Sequence, residues 1–358
     1  MESMELKNND FWKGKKVFIT GHTGFKGGWL SIFLENLGAE IHGFSLKPHE
    51  KSFFNAVNLG DKINHQVGDI RNLKLLKENL LKVNPEIIFH LAAQPLVRYS
   101  YNHPLETYST NVMGTANLLE ASRSLANLKS IVVVTSDKCY ENKEWDWGYR
   151  ENESLGGKDP YSSSKACTEL VAMAYNHSFF SKTPIQLATG RAGNVIGGGD
   201  WSEDRLIPDI LDAFENKTEL IVRSPKAVRP WQHVLEPLAG YIQLAELQYK
   251  YPAQFNQSWN FGPEDVDCKN VQYLVERIAH KWLTPVKWKI QCNENDMPEA
   301  GILKLDSSKS KRFLNWKPKW SIDQALDKII EWQSHYRNGA DMYYTSSRQI
   351  LDYMKVNP

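Results

Sequence analysis

The spacing of apolar and polar residues varies along the chain, and this spacing predicts alternating strands and helices up to residue 190. Short runs rich in β-branched and aromatic residues predict strands at residues 16–20, 41–46, 65–67, 87–90, 131–135 and 185–189. Apolar residues spaced three or four apart predict helices at residues 25–37, 73–83, 108–125 and 160–180. Strands and helices that alternate at this spacing favour an α/β fold with a doubly wound, Rossmann-type parallel sheet.

The pattern becomes less regular after residue 190. A glycine-rich loop is expected at residues 197–201, and later helices, at residues 271–281 and 323–336, are separated by segments rich in Trp and Pro. We therefore expect a first domain of residues 1–190 and a smaller C-terminal lobe of residues 191–358, with some chain exchanged between them. The last residues, 346–358, are expected to form a loosely held tail.

Composition narrows the class of protein. The chain has 358 residues, of which 41% are hydrophobic and 24% charged, as is usual for a soluble globular protein. The formal net charge of +1 gives no reason to expect nucleic acid or a membrane surface as a partner. No apolar stretch approaches the roughly 20 residues of a spanning helix, and the polar, acidic start does not resemble a secretory signal.

Cysteine spacing argues against disulfides and against a zinc site. Four cysteines are widely separated, with no C-x-x-C pair, at positions Cys139, Cys167, Cys268 and Cys292. Because structural zinc sites need closely spaced ligands, we expect no metal. The cysteines are interpreted as reduced thiols of a cytoplasmic protein.

Glycines at positions 21, 24 and 27 stand where the first predicted strand gives way to the first helix. Without Cβ atoms they let the backbone approach a pyrophosphate, and the helix N-terminus presents free N–H groups to it. A tight turn that binds nothing is the plainer alternative, but the strand–glycine–helix order favours a dinucleotide site. The predicted contacts are Gly21, Thr23, Gly24, Phe25, Lys26 and Gly27.

The adenosine end of this site is less clear. An acid at the end of the second strand usually binds the ribose 2′-hydroxyl and selects NAD, but Ser45 and Lys47 stand there. Ser45 suits a ribose hydroxyl and Lys47 suits a 2′-phosphate, so these residues leave NAD and NADP both open. Asp69 and Ile70 follow the third strand, where the Asp69 carboxylate is placed either to bind adenine or to cap the next helix.

Tyr161 and Lys165 stand four residues apart, and therefore on one face of a predicted helix. An ammonium beside a phenol lowers the pKa of the phenol, which would make Tyr161 a base toward a sugar hydroxyl. The preceding strand ends at Thr135 and Ser136, whose hydroxyls are placed to reach the same substrate atom. Tyr-x-x-x-Lys pairs also occur by chance, so the hypothesis rests on this combination.

Together these segments resemble the extended short-chain dehydrogenase/reductase family that acts on nucleotide sugars. The matching segments are residues 20–27, 69–71, 90–94, 111–115, 161–165, 191–195, 229–231 and 259–262. The resemblance implies bound NAD in the first domain, with further cofactor contacts at Leu91, Ala92, Ala93, Gln94, Asn111, Thr135, Tyr161 and Lys165. It also implies a substrate site that includes Gln94, Ser136, Asn194, Arg229 and Asn260.

Within that family, residues 136–138 distinguish the possible activities. Hexose 4,6-dehydratases place an acid at the position of Asp137, whereas C4-epimerases do not. The implied catalytic residues are Ser136, Asp137, Lys138, Tyr161 and Lys165. Asp137 is the implied acid that protonates the C6 hydroxyl, which leaves as water. Lys138 stands where most dehydratases have Glu, so either Lys138 or a water takes the C5 proton. A cap at the strand end is the alternative role for Asp137.

Lys138 and the segments 11–16 and 27–30 resemble the branch that acts on CDP-glucose. The resemblance implies that CDP-glucose is converted to a 4-keto-6-deoxy product, in deoxysugar biosynthesis such as that of O-antigen lipopolysaccharide. A C4-epimerase and a non-catalytic dinucleotide sensor are the rival hypotheses. Pairing of the helices at 108–125 and 160–180 implies a homodimer or homotetramer.

Overall fold

The computed structural model describes residues 10–282, 285–291 and 300–356. Its strands are β1 Lys16–Thr20, β2 Glu40–Ser45, β3 Asn64–Val67, β4 Ile87–His90, β5 Ser130–Val134, β6 Gln186–Ala192, β7 Val195–Ile196, β8 Glu219–Val222, β9 Val228–Pro230, β10 Gln232–His233, β11 Ser258–Phe261, β12 Cys268–Asn270 and β13 Lys287–Ile290. Its helices are α1 Phe25–Asn36, α2 Phe53–Ala56, α3 Leu73–Val83, α4 Val97–Asn102, α5 Pro104–Tyr108, α6 Gly114–Ser122, α7 Pro160–Tyr175, α8 Leu206–Glu215, α9 Leu235–Lys250, α10 Val271–Lys281, α11 Ser308–Phe313, α12 Ile322–Arg337 and α13 Met342–Lys355.

A seven-stranded sheet forms the centre of the molecule, in the order β11-β6-β5-β4-β1-β2-β3. Every pair of neighbouring strands in it is parallel. The middle strands β4, β5 and β6 are buried along their whole length, which explains why β4 and β5 are nearly continuous apolar runs. The predicted α/β fold with a doubly wound, Rossmann-type parallel sheet is confirmed.

One strand of this sheet comes from far along the chain. Strand β11 pairs with β6 at the edge, with Asn260 beside Arg191. Helix α9 packs on the same sheet, and its buried residues belong to the core that contains β1 and β5. The C-terminal half therefore completes the first domain as well as forming the smaller lobe, and a separate core of that lobe is built from α8, α10 and α12.

Two predicted helices contain local distortions. The segment predicted as one helix from residue 108 to 125 begins earlier, as α5, and passes through a π-helical turn at Ser109–Met113 before α6. The helix predicted for residues 160–180 is α7 followed by a second π turn at Asn176–Phe180. Hydrophobic spacing does not reveal such turns, because a single π turn leaves the helix continuous and the apolar residues before and after it keep their helical spacing.

The expectation of a loose C-terminal tail is wrong. Residues 346–355 lie in α13, which begins at the cap Asp341 and packs against α1 and α12. Ile350 and Tyr353 are fully buried on the inner face of this helix, and Tyr343 on α13 donates a hydrogen bond to Glu35 on α1. The apolar residues of this face recur at helical spacing, and their burial outweighs the tendency of a chain terminus to fray.

Candidate functional site

The candidate site lies where β1, β4, β5 and β6 end, at the carboxyl edge of the sheet. This edge is where ligands bind in open α/β sheets. The first turn after β1 needs glycine for two steric reasons. Gly21 has a φ of +79°, and a Cβ there would stand 2.6 Å from the Ala92 nitrogen. A Cβ at Gly27 would stand 2.2 Å from the Gly21 carbonyl oxygen. The cradle is therefore built from backbone in close contact.

The N-terminus of α1 opens onto this cradle. Gly24 is the N-cap and no side chain hydrogen-bonds to the first turn, so the terminal N–H groups and the positive end of the helix dipole face the site. These groups suit a pyrophosphate, and the arrangement therefore fits a dinucleotide cofactor. The structure places Gly21, Thr23, Gly24, Phe25, Lys26 and Gly27 together at this turn.

At the adenosine end, Thr23 and Ser45 lie side by side. Their hydroxyl oxygens are 2.7 Å apart, and the Thr23 hydroxyl is also 3.1 Å from the Leu46 carbonyl oxygen. Ser45 thus stands at the end of β2 where a ribose-binding acid would otherwise be found.

Asp69 follows β3 as predicted, but its carboxylate already accepts hydrogen bonds from Arg71, with Nε donating to both oxygens and Nη2 donating to Oδ2. This ion pair lowers the pKa of Asp69. The cap of α3 is Asn72, whose side chain accepts from the Leu75 N–H. The capping alternative for Asp69 on this helix is therefore wrong, and Ile70 beside it packs against Gly114.

Leu91, Ala92 and Ala93 leave the end of β4 beside the glycine cradle. Gln94 and Asn111, both predicted to contact the cofactor, hydrogen-bond to each other. The Gln94 N–H donates to Asn111 Oδ1 at 2.8 Å, and Asn111 Nδ2 donates to the Gln94 carbonyl at 3.1 Å. The Gln94 side chain bridges Thr107 and the Leu96 N–H. These contacts position the loop after β4.

The reacting centre is formed by β5 and α7. Ser136 and Asp137 follow β5, and Tyr161 stands in the first turn of α7, which begins at the cap Asp159 with Pro160 at its first position. Burial raises the pKa of the Tyr161 phenol, and Ser136 lies close enough to oppose that shift. Ser136 Oγ also donates to Asp137 Oδ1 at 3.0 Å. Three of the predicted catalytic side chains are thus in one connected group, and all are buried.

Lys165 was predicted to lower the pKa of Tyr161, but the groups that act most strongly on this phenol are others. Burial raises the pKa of Tyr161 to about 12, while Ser136 and Arg205 act in the opposite direction. The Lys165 ammonium instead donates to the Val134 carbonyl at 3.3 Å. Burial lowers the pKa of Lys165 to about 8. Desolvation of the buried phenol outweighs an ammonium that is directed at the backbone.

Asp137 has the environment expected of an acid. Burial raises its pKa, while the nearby Lys138 ammonium lowers it. Its Oδ2 is buried and has no hydrogen-bond partner within residues 10–282, 285–291 and 300–356. A Cβ at Gly193 would stand 3.1 Å from this oxygen, so a glycine on the neighbouring strand end leaves room for the carboxyl. Lys138 is half-buried, and its N–H donates to Ser136 Oγ.

The predicted substrate residues divide into two groups. Asn194 is half-buried between β6 and β7, and Arg229 on β9 is near enough to Asp137 to lower its pKa. Asn260 is fully buried in β11, and its amide is engaged within the protein. Its Oδ1 accepts from the Tyr140 hydroxyl at 2.7 Å, and its Nδ2 donates to the carbonyls of Tyr149 and Asp306. The contacts of the Asn260 amide therefore favour a role in holding β11 to the neighbouring loops.

Sequence reasoning missed a buried charge network under the site. Glu169, two turns after Tyr161 on α7, accepts from Arg191 at 2.8 Å in a pair that is almost completely buried. The same carboxylate accepts from Thr135, Thr189 and Ser258. These partners lower the pKa of Glu169 although burial opposes them. The sequence offered one signal for this network. Glu169 follows Lys165 by four residues, and residues four apart on a helix share a face.

A second missed pair lies in the loop before α8. Arg205 donates to Asp200 Oδ2 at 2.9 Å, and the Arg205 guanidinium lowers the pKa of Tyr161. The charges that act on the phenol thus include a cation from the C-terminal lobe. The charges of both residues also shift the pKa of Lys26, Arg205 downward and Asp200 upward, while burial is the main cause that lowers it. The glycine-rich pattern at residues 197–201 predicted a loop but not its position over the reacting centre.

Other features concern metals, thiols and membranes. Within the described ranges, no group of three or more His, Cys, Asp or Glu residues is arranged to hold a metal ion. Cys139, Cys167 and Cys268 are free thiols, and Cys292 lies outside the described residues. No helix in the part of the chain that the structure describes is long and apolar enough to cross a membrane.

Fold and site together define an extended short-chain dehydrogenase/reductase. The sequence model of the GDP-mannose 4,6 dehydratase family matches residues 18–329. The chain therefore belongs to this family of nucleotide-sugar dehydratases. A CDP-glucose 4,6-dehydratase of Salmonella typhimurium is 51% identical over 355 residues, which cover 98% of this chain and 99% of the relative.

Solved structures agree with this fold. An epimerase from Methanothermobacter thermautotrophicus superposes with a TM-score of 0.78 at 21% identity, over 92% of this chain and 96% of the other. A dTDP-glucose 4,6-dehydratase from Bacillus anthracis, solved with NAD, has a TM-score of 0.74 at 21% identity, over 92% of this chain and 100% of the other. At this identity the likeness establishes the architecture only, since dehydratases and epimerases share it.

Proposed function

We propose that this chain is an NAD-dependent 4,6-dehydratase that converts CDP-glucose to CDP-4-keto-6-deoxyglucose. The observation that carries the proposal is Asp137, a buried carboxyl with one unpartnered oxygen, in contact with Ser136 beside Tyr161. A C4-epimerase needs no acid at that position. The similarity to the Salmonella typhimurium enzyme supports the choice of CDP-glucose.

Residues of the glycine cradle and α1 would hold the pyrophosphate of NAD, and Ser45 would bind the adenosine ribose. The pairing of Ser45 with Thr23 supports NAD, because it places two hydroxyls at the end of β2, where the adenosine ribose would lie. When bound there, NAD would supply the hydride chemistry of the reaction, by which C4 is oxidised and C6 is later reduced, and it would be regenerated in each cycle.

The side chains perform the remaining proton transfers. Tyr161 takes the proton of the C4 hydroxyl, and the neighbouring Ser136 favours the phenolate because it lowers the pKa of the phenol. The resulting 4-ketone makes the C5 proton acidic, and Lys138 or a water that it holds takes this proton. Asp137 then protonates the C6 hydroxyl, which leaves as water. After hydrogen returns to C6, the C5 proton is restored.

Substrate binding is assigned to Asn194 and Arg229 near the reacting centre. A guanidinium is suited to a diphosphate because its planar donors match two oxygens at once. Arg229 Nη1 also donates to the carbonyls of Val228 and Gly301, which fix its orientation. We assign no direct sugar contact to Asn260, since its amide is occupied within the protein.

We further propose that the protein is a cytoplasmic homo-oligomer, at least a dimer. Apolar side chains are exposed on adjacent helices of the first domain. Leu105 on α5 is 83% exposed, and Leu170 and Met173 on α7 are 53% and 55% exposed. These faces suit a four-helix contact between two subunits, because apolar side chains on adjacent helices can be buried together.

The test is mass spectrometry of CDP-glucose, dTDP-glucose, UDP-glucose and GDP-mannose after incubation with the protein and NAD. Loss of one water from CDP-glucose alone is the expected result. Loss from a different nucleotide sugar would retain the chemistry and correct the base. Unchanged mass with inversion at C4, detected by NMR, would establish an epimerase. Dinucleotide binding without turnover of any of the four would favour the sensor hypothesis.

A further inference from the structure

The proposed dehydration, on which this inference rests, requires two separate elements to be held in a fixed arrangement. Tyr161, which takes the C4 proton, stands on α7, whereas Asp137, which protonates the leaving hydroxyl, follows β5. The chain leaves the sheet after Val134, the last residue of β5. The base and the acid therefore act on one sugar only if the end of β5 keeps its position against α7.

One face of α7 makes the contacts to this strand end. Tyr161, Lys165 and Glu169 follow one another at intervals of four residues, so they share a face of the helix. The Lys165 ammonium donates to the Val134 carbonyl at 3.3 Å. The Glu169 carboxylate accepts from the Thr135 hydroxyl at 2.5 Å. Two successive residues at the end of the strand are thus bonded to two successive turns of the helix.

The two oxygens of the Glu169 carboxylate have different partners. Oε2 accepts from Arg191 at 2.8 Å, from Thr189 at 2.7 Å and from Ser258 at 2.9 Å, all on the neighbouring strands β6 and β11. Oε1 accepts from Thr135. Hydrogen bonds to an ionised carboxylate are stronger than those between neutral groups. One oxygen therefore anchors the carboxylate to the sheet, and the other holds the end of β5.

Thr135 is held by both its side chain and its backbone. Its hydroxyl was predicted to face substrate and cofactor, but a hydroxyl has one proton, and here that proton is donated to Glu169. The Thr135 N–H donates to the Gly190 carbonyl at 2.9 Å, beyond the last residue of β5. Both bonds lie in the buried interior. They fix the residue from which the chain continues into Ser136 and Asp137.

We propose that Glu169 is a positioning residue of the reaction and acts through Thr135. Its carboxylate fixes the strand end before Asp137 against the helix that carries Tyr161, so that the acid and the base reach C6 and C4 of the same sugar. Glu169 contacts neither the sugar nor the cofactor in this role. Without the Thr135 hydrogen bond, the acid should move away from the C6 hydroxyl, while Tyr161 keeps its place on α7.

The experiment compares Thr135→Val with the matched control Thr189→Val. Both changes replace a hydroxyl that donates to Glu169 with a methyl group, at side chains that are 4% and 3% exposed. With Thr135→Val, kcat for water loss from CDP-glucose should fall about tenfold to a hundredfold, because a small misplacement of a reacting group has an effect of this size. KM for CDP-glucose should change less than about twofold, since substrate binding is not altered. Thr189→Val should retain the wild-type kcat.

Absorbance of reduced nicotinamide gives a second readout. When the acid is misplaced and the base is not, C4 is still oxidised but water loss is delayed, so reduced cofactor should accumulate on Thr135→Val and not on Thr189→Val. Thr135→Ser retains the hydroxyl and should recover most of the lost rate. Thr135→Cys has a weak S–H donor, so its rate should lie between those of the serine and valine variants. Thermal unfolding verifies folding, and the serine–cysteine comparison serves if Thr135→Val does not fold.

A wild-type kcat in Thr135→Val would overturn the positioning role. An equal loss of kcat in Thr189→Val would overturn it in favour of a general loosening of the network. A raised KM for NAD with an unchanged kcat would overturn it in favour of a direct cofactor contact of Thr135. Absence of water loss in the wild-type protein would overturn the dehydratase function itself, together with this inference. Water loss by the wild type with an unimpaired Thr135→Val would overturn only the role of Glu169 and Thr135.

Discussion

Burial raises the pKa of Asp137 and neighbouring cations lower it, so the ability of Asp137 to act as an acid depends on which effect is larger. Burial raises the pKa of its carboxyl, and it outweighs the opposing effects of Lys138, Ser136, Arg229 and Lys26. A carboxyl that keeps its proton at higher pH is suited to donate to a leaving hydroxyl. Since the acid acts only when protonated, dehydration should slow as the pH rises through this raised pKa.

Replacing Asp137 with Asn tests that role most directly. The amide preserves the shape of the side chain but has no proton to transfer, so release of water should fall about 10²- to 10⁴-fold. Oxidation at C4 should continue, and reduced nicotinamide should accumulate on the enzyme. Absorbance near the reduced-cofactor band and product mass measure the two effects separately. Water loss at the wild-type rate would leave Asp137 as a cap at the end of β5.

Individual residues were predicted best where a motif fixes both position and chemistry. The glycine cradle, Ser136, Asp137 and Tyr161 lie together as the sequence suggested. Gln94 and Asn260 fit the same family pattern, but their amides are engaged within the protein. A motif does not distinguish an amide that faces the ligand from one that holds two strands, because both depend on neighbours distant in sequence.

At the scale of elements, Glu169 connects α7 to three strands of the sheet. Its carboxylate receives hydrogen bonds from residues of β6 and β11 and from Thr135 at the end of β5. Glu169→Gln would leave the Arg191 guanidinium buried without its counter-charge, which should lower the free energy of unfolding by about 3 to 5 kcal/mol. Urea unfolding measures this loss.

Ser258→Ala is the matched control for Glu169→Gln. It removes one of the hydrogen bonds to the same carboxylate and should cost about 1 kcal/mol. The pKa of Glu169 is lowered in the folded protein, so its stabilisation is present above the unfolded pKa and is lost as the pH falls through the folded one. Equal losses for Glu169→Gln and Ser258→Ala would contradict a dominant ion pair.

Glu236 on α9 gives the opposite pH dependence. It is fully buried and accepts from the Trp320 N–H and from the Tyr353 hydroxyl of α13. Burial raises its pKa from 4.5 to about 7. The folded protein therefore binds this proton more tightly than the unfolded chain, and Glu236 should lower stability progressively as the pH rises from 4.5 to 7, by on the order of 3 kcal/mol.

Glu236→Gln removes this titration. The difference in unfolding free energy between the wild type and this variant, measured across that pH interval, should shift in favour of the variant as the pH rises. A difference that does not change with pH would show that Glu236 keeps an ordinary pKa in the folded protein.

For the whole molecule, the proposed dimer depends on apolar residues that the subunit leaves in water. Leu170→Glu places a charge in the middle of the proposed contact and should produce monomers in sedimentation velocity experiments at micromolar concentration. Val266→Glu is the matched control, because Val266 is also apolar and 70% exposed but lies on the C-terminal lobe. Dissociation by the control alone would place the interface elsewhere.

The overall architecture was largely predictable because strands and helices alternate strictly in the first half of the chain. The sequence did not indicate which residues of the second half of the chain pack against elements of the first half. Strand β11 is as short as other strands of the lobe, and its pairing with β6 depends on contacts across the sheet. The apolar face of α13 was visible in the sequence, but the surface that receives it was not.

The return of the chain has a consequence during synthesis. Strand β11 supplies the last strand of the central sheet, and α13, which follows α1 by about 300 residues, packs against it. A growing chain on the ribosome therefore presents an incomplete sheet edge until residue 261 has emerged, and an uncovered apolar helix until residue 355 has emerged. Chaperones that recognise such surfaces should engage the nascent protein until these two elements are available to pack.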